Sequence, residues 1–233
     1  MRSSNNYAIL CNGEFPCREQ VRRRLLESDV LVCCDGAAEA LAGYRVPDAV
    51  VGDMDSISPE LACRYAGRQV RVAEQESNDM TKAYRHVLSM HDGMSPGTPF
   101  SVTFYGAGGK REDHTIGNVS LLADYAWEAF TEGRPVTLSM VSDYGSFFPL
   151  TDSVSFCLPE GTPVSIFSFD STVEISSEGL QYPTSGVVFD KWWKATLNKV
   201  SDRNILLSFS RPAPVLIYVA GYFGENLLYL RHV

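Results

Sequence analysis

The sequence has no long hydrophobic run. Its longest apolar stretch, APVLIYVAGYF (213–223), carries a proline and a glycine and falls well short of the roughly 20 apolar residues that cross a bilayer as a helix. The opening MRSSNNYAIL lacks the apolar core of a signal peptide. Both absences point to a cytoplasmic protein without membrane attachment. An excess of basic charge is missing too. Lys and Arg number 20 against 28 Asp and Glu, a net charge of -8, which argues against non-specific nucleic-acid binding, since that needs a basic face. A nucleotide substrate stays open, because a few local donors or a bridging cation can hold phosphates. The six cysteines include no CxxC pair and no regular framework, so reduced thiols are expected rather than disulfides or a zinc site. His86, His91 and His232 show no metal-ligand spacing and read as surface or structural residues. There is no repeat and no P-loop closed by GK[ST].

What is present suffices for one large domain or two modest ones: 233 residues, 45% of them hydrophobic and 21% charged. Up to about residue 143, short apolar runs alternate with helical stretches. The runs are YAILC (7–11), DVLVCC (29–34), DAVV (48–51), QVRVA (69–73), SVTFY (101–105) and VTLSMV (136–141). Helices are expected near 17–28, 36–43, 79–92 and 114–132, and one opens at SPEL with Ser58 as N-cap and Pro59 in the first helical position. Such alternation predicts an open parallel α/β sheet built by crossovers. From about residue 144 the grammar changes to period two. VSIFSFDSTVEIS (164–176) reads as a hairpin turning near Asp170-Ser171, and NILLSF (204–209) and PVLIYV (214–219) as further strands. This half predicts a small antiparallel sandwich or barrel. The expected division is 1–143 and 144–233.

Ligands of an open α/β sheet sit beyond the carboxyl ends of its strands, where acidic residues gather in this sequence. Asp35 follows LVCC, Asp53 and Asp55 follow AVVG, Asp79 follows QVRVA, and Asp113 follows SVTFYGAGG. On an extended segment Asp53 and Asp55 point to one side, with Cα atoms roughly 6.6 Å apart, and repel unless a cation lies between them. Hard oxygen ligands in a shallow loop suit Mg²⁺ that shares substrate phosphates. The bland alternative is a pair of turn or cap aspartates. YGAGGKREDHTIGN (105–118) is the other rich stretch. Gly106, Gly108 and Gly109 allow backbone N–H groups close to an anion, a helix start follows, and Lys110 and Arg111 add charge. The alternative there is a flexible glycine hairpin with solvated basic residues.

CDGAAEAL (34–41), VGDMDSI (51–57), QESNDMTKA (75–83) and GAGGKREDHTIGN (106–118) stand in the order found in thiamine pyrophosphokinases, and the sequence resembles that family. The resemblance implies transfer of pyrophosphate from ATP to the hydroxyl of thiamine, giving thiamine diphosphate and AMP. It also implies an N-terminal open parallel α/β sheet domain followed by a C-terminal antiparallel β-sandwich domain, joined into a homodimer with thiamine near the interface. By the resemblance, Asp53, Asp55 and Asp79 bind Mg²⁺, with Asp35, Arg111 and Asp113 completing the catalytic set. ATP falls to Gly36, Gly108, Gly109, Lys110, Arg111, His114 and Asn118. Trp193, Thr196 and Asn198 are the expected thiamine contacts, on a loop (195–200) that matches the family loosely. Trp192 and Trp193 read equally well as sandwich core. A pyrophosphokinase acting on a related hydroxyalkyl heterocycle, such as a hydroxymethylpterin, stays open, as does a non-catalytic nucleotide-binding module.

Overall fold

The computed structural model describes residues 6–224 and the backbone of 231–232. The side chain of His232 therefore lies outside the described residues. Two compact units emerge. The first takes in the chain up to Asn118 together with Pro135–Thr137 and Val141–Asp143; the second takes in Val119–Arg134, Leu138–Met140 and the chain from Tyr144 onward.

In the first unit five strands, β1 (Asn6–Leu10), β2 (Val30–Cys34), β3 (Ala49–Gly52), β4 (Gln69–Arg71) and β5 (Phe100–Tyr105), pair in parallel in the order β5-β1-β2-β3-β4. β2 and β3 are buried at every position, as a parallel sheet covered on both faces requires. The unit's helices are α1 (Glu19–Glu27), α2 (Ala38–Leu41), α3 (Pro59–Arg64), α4 (Asp79–Met94) and the start of α5 (Glu112–Glu132), whose residues from Val119 onward belong to the second unit. α4 buries Met80, Ala83, Tyr84, Val87 and His91, a spacing that draws one stripe along the helix toward the sheet. The Ser58 hydroxyl accepts from the Leu61 N–H and opens α3 with Pro59 behind it, as the sequence predicts. His91 is structural: its ring meets the Tyr7 hydroxyl at 3.1 Å and the Thr98 carbonyl at 3.0 Å, and stacks on Phe100. Strands β1 to β4 run out to one side and β5 lies on the other side of β1. The strand order thus reverses between β1 and β5, and the crevice above their carboxyl ends is where such a fold binds ligands.

β6 (Val136–Ser142) contributes residues to both units and turns at Asp143-Tyr144 into β7 (Gly145–Leu150). The second unit continues with β8 (Val154–Cys157), β9 (Pro163–Ser168), β10 (Ile175–Glu178), β11 (Ala195–Lys199), β12 (Asn204–Phe209), β13 (Val215–Ala220) and β14 (Arg231–His232). The strands pair antiparallel, β11-β9-β13-β7 on one side and β10-β12-β8-β14 on the other. Val164, Ile166, Ile217 and Val219 from the first set meet Phe156, Ile175, Ile205 and Leu207 from the second in one apolar core. That is a sandwich. The expected hairpin over 164–176 is wrong, however. β9 and β10 belong to different sheets, and the chain crosses between them at Asp170, whose carboxylate accepts from the Thr172 N–H and from Arg211. Period two reports only which side chains face inward; it does not distinguish a hairpin from two strands facing each other across a core.

Candidate active site

The turn after β3 brings the acids together, by a route other than the pleat. Met54 has φ 70°, so Asp53-Met54-Asp55 is a tight turn rather than an extended segment, and the Asp55 N–H donates to Asp53 Oδ1 at 3.2 Å. Non-glycine residues adopt this left-handed region at a cost. Part of the compensation comes from Asp35 at the end of β2. Its buried carboxylate accepts from the Met54 N–H at 2.9 Å and from the Gly36 N–H at 2.7 Å. Gly52 makes this approach possible, since a Cβ there would lie 2.5 Å from Asp35 Cγ. One carboxylate oxygen from each of Asp35, Asp53 and Asp55 lies within 4.8 Å of the others, a donor set of hard oxygens suited to a divalent cation.

The electrostatics follow from burial and hydrogen bonding. Burial pushes the Asp35 carboxyl up, with the Asp79 and Asp53 charges adding to it and the two N–H donors opposing. Asp53 is drawn the other way, to about 2, first by the Gln75 amide (3.0 Å) and then by the Asp55 N–H. Asp79 opens α4 but does not belong to the group within 4.8 Å. It pairs at 3.3 Å with Lys82, whose side chain is only 3% exposed. The same buried ammonium also attracts the Asp53 charge, which relieves part of the like-charge repulsion that the turn would otherwise impose.

The second arm is the loop after β5. Its carbonyls are tied one after another: Gly106 C=O accepts from the Gly13 N–H (2.6 Å), Ala107 C=O from the Asn118 amide (2.7 Å) and Gly108 C=O from the Glu14 N–H (2.7 Å). A Cβ on Gly13 would sit 2.2 Å from Gly106 O and 2.3 Å from Gly108 O, so only glycine permits the loops after β1 and β5 to close on each other. Among the described residues the N–H groups of Ala107, Gly108 and Gly109 have no protein acceptor. Successive unpaired N–H groups at the mouth of a helix start form an anion cradle. Lys110 reaches Asn12 Oδ1 at 3.2 Å. The Arg111 guanidinium grips Asp113 at two points, 3.1 and 2.5 Å, and holds that carboxyl below the usual carboxylate range.

Comparison with known proteins decides what these arms belong to. The model of the thiamin pyrophosphokinase catalytic domain matches residues 21–131, and that of the thiamin pyrophosphokinase substrate-binding domain matches residues 145–218. The chain belongs to the thiamin pyrophosphokinase family. No curated relative matches it. Its fold is that of solved thiamin pyrophosphokinases: the one from Candida albicans superposes with a TM-score of 0.72 at 18% identity, covering 94% of this chain and 90% of that one. The one from Geobacillus thermodenitrificans gives 0.66 at 24% identity, covering 91% and 96%.

Within this pyrophosphokinase, Asp35, Asp53, Asp55, Gly36, Gly108, Gly109, Lys110, Arg111, Asp113 and His114 all lie in the loops or first helical turns after β2, β3 and β5, and Asn118 follows in the second turn of α5. Asn118 does not offer its side chain to solvent; both ends of its amide are engaged, with Asn78 and Ala107. Of the residues expected at thiamine, Asn198 is committed to the backbone, accepting from the Tyr182 N–H and donating to the Tyr182 C=O. Trp192 and Trp193 sit in the turn before β11, not on a strand. The Trp192 ring lies against Phe167 and Phe169, while Trp193 is 52% exposed. β11 bulges between Ala195 and Asn198, and Leu197, at φ 60°, projects into solvent next to Thr196. Sequence reasoning missed Asn12, Gly13 and Glu14, although an Asn-Gly pair directly after an apolar strand was a usable turn signal. It also missed Lys82, which follows Asp79 by three positions and therefore shares its helix face.

Proposed function

We propose that the protein transfers the β,γ-pyrophosphoryl group of ATP to the hydroxyl of thiamine, releasing AMP. The observation that carries this is the pairing, in one unit, of three converging carboxylates with a loop of three unpartnered N–H groups. In the reaction the thiamine oxygen forms a bond to Pβ, the bond from Pβ to the α–β bridging oxygen breaks so that this oxygen leaves with AMP, and the hydroxyl proton leaves to solvent or a carboxylate. Asp35, Asp53 and Asp55 would hold Mg²⁺, with Asp79 beside them. When bound, that ion would neutralise charge on the triphosphate. The Ala107, Gly108 and Gly109 N–H groups and Lys110 take phosphate oxygens, which is catalysis by positioning and electrostatic stabilisation. Arg111 joins them once Asp113 releases it; the exchange costs little, since both groups are solvent-exposed. Asp113, freed of Arg111 in that state, is left to orient the acceptor hydroxyl.

On this reading residues 1–143 form the catalytic domain and 144–233 the thiamine-binding and dimerising domain. Support for a homodimer comes from the second unit, where Phe147, Tyr218, Phe167, Trp192 and Phe169 form a run of ring contacts beside the core. Six free thiols fit a reducing, cytoplasmic setting. The test is product analysis. ATP, Mg²⁺ and thiamine should give AMP and thiamine diphosphate in equal amounts, and the α,β-methylene analogue of ATP should bind without reacting. ADP accompanying thiamine monophosphate would assign a different reaction.

A further inference from the structure

A chain of two amides links the helix that carries Asp79 to the loop that carries the unpartnered N–H groups. Asn78 caps α4, its Oδ1 accepting from the Thr81 N–H at 2.9 Å and from the Thr81 hydroxyl at 2.8 Å. Its Nδ2 donates to Asn118 Oδ1 at 2.9 Å, and Asn118 Nδ2 donates to the Ala107 carbonyl at 2.7 Å. Every polar atom of both amides bar one Asn78 proton and one Asn118 proton is thereby directed. Asn118 and Ala107 are buried, so these bonds do not compete with bulk water. In a trans peptide the N–H points opposite the C=O. Drawing Ala107 C=O toward Asn118 therefore turns the Gly108 N–H away from α5, on the side where no protein acceptor meets it. The flanking peptides are fixed by the backbone of Gly13 and Glu14; the middle one depends on a side chain.

We propose that Asn78 and Asn118 are positioning residues that set the direction of the Gly108 N–H and so tune the affinity for the triphosphate. Glycine on both sides of Ala107 leaves these peptides free to rotate, and the left-handed φ of 62° at Gly106 and 89° at Gly109 shows the loop using that freedom. Without the Asn118 donor the Ala107 C=O would be buried and unpaired, and flipping the peptide toward solvent would remove that penalty while hiding the phosphate donor. Asn78 acts one step further back. It holds the Asn118 amide the right way round, with oxygen toward α4 and nitrogen toward Ala107.

The inference rests on the phosphate-binding role given above to this loop, but its test does not need turnover. Binding of the α,β-methylene analogue of ATP with Mg²⁺ is measured by calorimetry for the wild type, Asn78→Thr, Asn118→Leu and the double variant, with AMP as the control ligand. Threonine still caps α4 but carries no donor that reaches Asn118. Each single variant should weaken the analogue about tenfold, the typical loss of one hydrogen bond to a charged group. AMP affinity should hold, and the double variant should bind no worse than the weaker single, because both act through one peptide. Analogue binding at wild-type strength in Asn78→Thr overturns the proposal, as does equal weakening of AMP or a multiplicative loss in the double variant. If thiamine turnover proves absent while these binding shifts appear, the functional assignment fails and the positioning role stands.

Discussion

Gly52→Ala is the sharpest perturbation of the site. A methyl at position 52 would lie 2.5 Å from Asp35 Cγ, 2.7 Å from Oδ2 and 2.9 Å from Oδ1. These are far inside ordinary contact, and the short Asp35 side chain, buried at the end of β2, cannot swing clear without giving up its bond from Met54. Losing a hydrogen bond to a charged acceptor costs about 1.5–3 kcal/mol, and overpacking a buried position adds about 1–3 kcal/mol. A destabilisation of about 3 kcal/mol should lower the thermal midpoint by about 6–12 °C in a chain of this length. Turnover should fall further than stability, because the Met54 turn that gathers the carboxylates is released at the same time. The cause is isolated by a double-mutant cycle measured by urea unfolding. With Asp35→Ala already in place, Gly52→Ala should cost less than about 1 kcal/mol, since its clash partner is gone. An equal cost on both backgrounds, or an unchanged midpoint in the single variant, would refute the role assigned to this glycine.

Asp55→Asn should leave the melting temperature at or slightly above the wild-type value, because one of two neighbouring like charges is removed, while activity falls by orders of magnitude through weaker metal binding; near-wild-type turnover would remove Asp55 from the site. Asp170 is held down at about 2 by its bonds from Thr172 and Arg211. A depressed carboxyl contributes stability above its ordinary value near 3.8 and loses it as pH falls through about 2. Asp170→Asn should therefore cost about 1 kcal/mol at pH 7, allowing for solvent screening, with the gap narrowing in urea titrations toward pH 3; a gap that widens on acidification has the sign wrong. Light scattering at micromolar concentration should give twice the chain mass, and a monomer there would dismiss the aromatic run of the second unit as a subunit interface.

Much of this protein is local in origin and was legible from the chain alone. Fully apolar runs such as VLVCC can only be strands buried on both faces, and Ser58-Pro59 marks a helix start wherever it lies. Alternation of strands and helices fixes parallel pairing, because a crossover must return the chain to the same edge direction. Clustering of acids at strand ends follows from that topology. What needed the tertiary structure is whatever depends on residues far apart in sequence. Period two marked 164–176 as two strands but could not say that they sit in opposing sheets, since inward faces look the same from either side of a core. The spacing of Asp53 and Asp55 suggested convergence along a pleat, whereas they converge through a left-handed Met54 stabilised by Asp35, nineteen residues earlier. Asn118 was recognisable as a site residue, but its task was not. That task is set by Asn78, forty residues away, and by a carbonyl eleven residues back. A hydrogen bond's partner is chosen by the packing that brings two buried groups within 3 Å, and no local pattern encodes that choice.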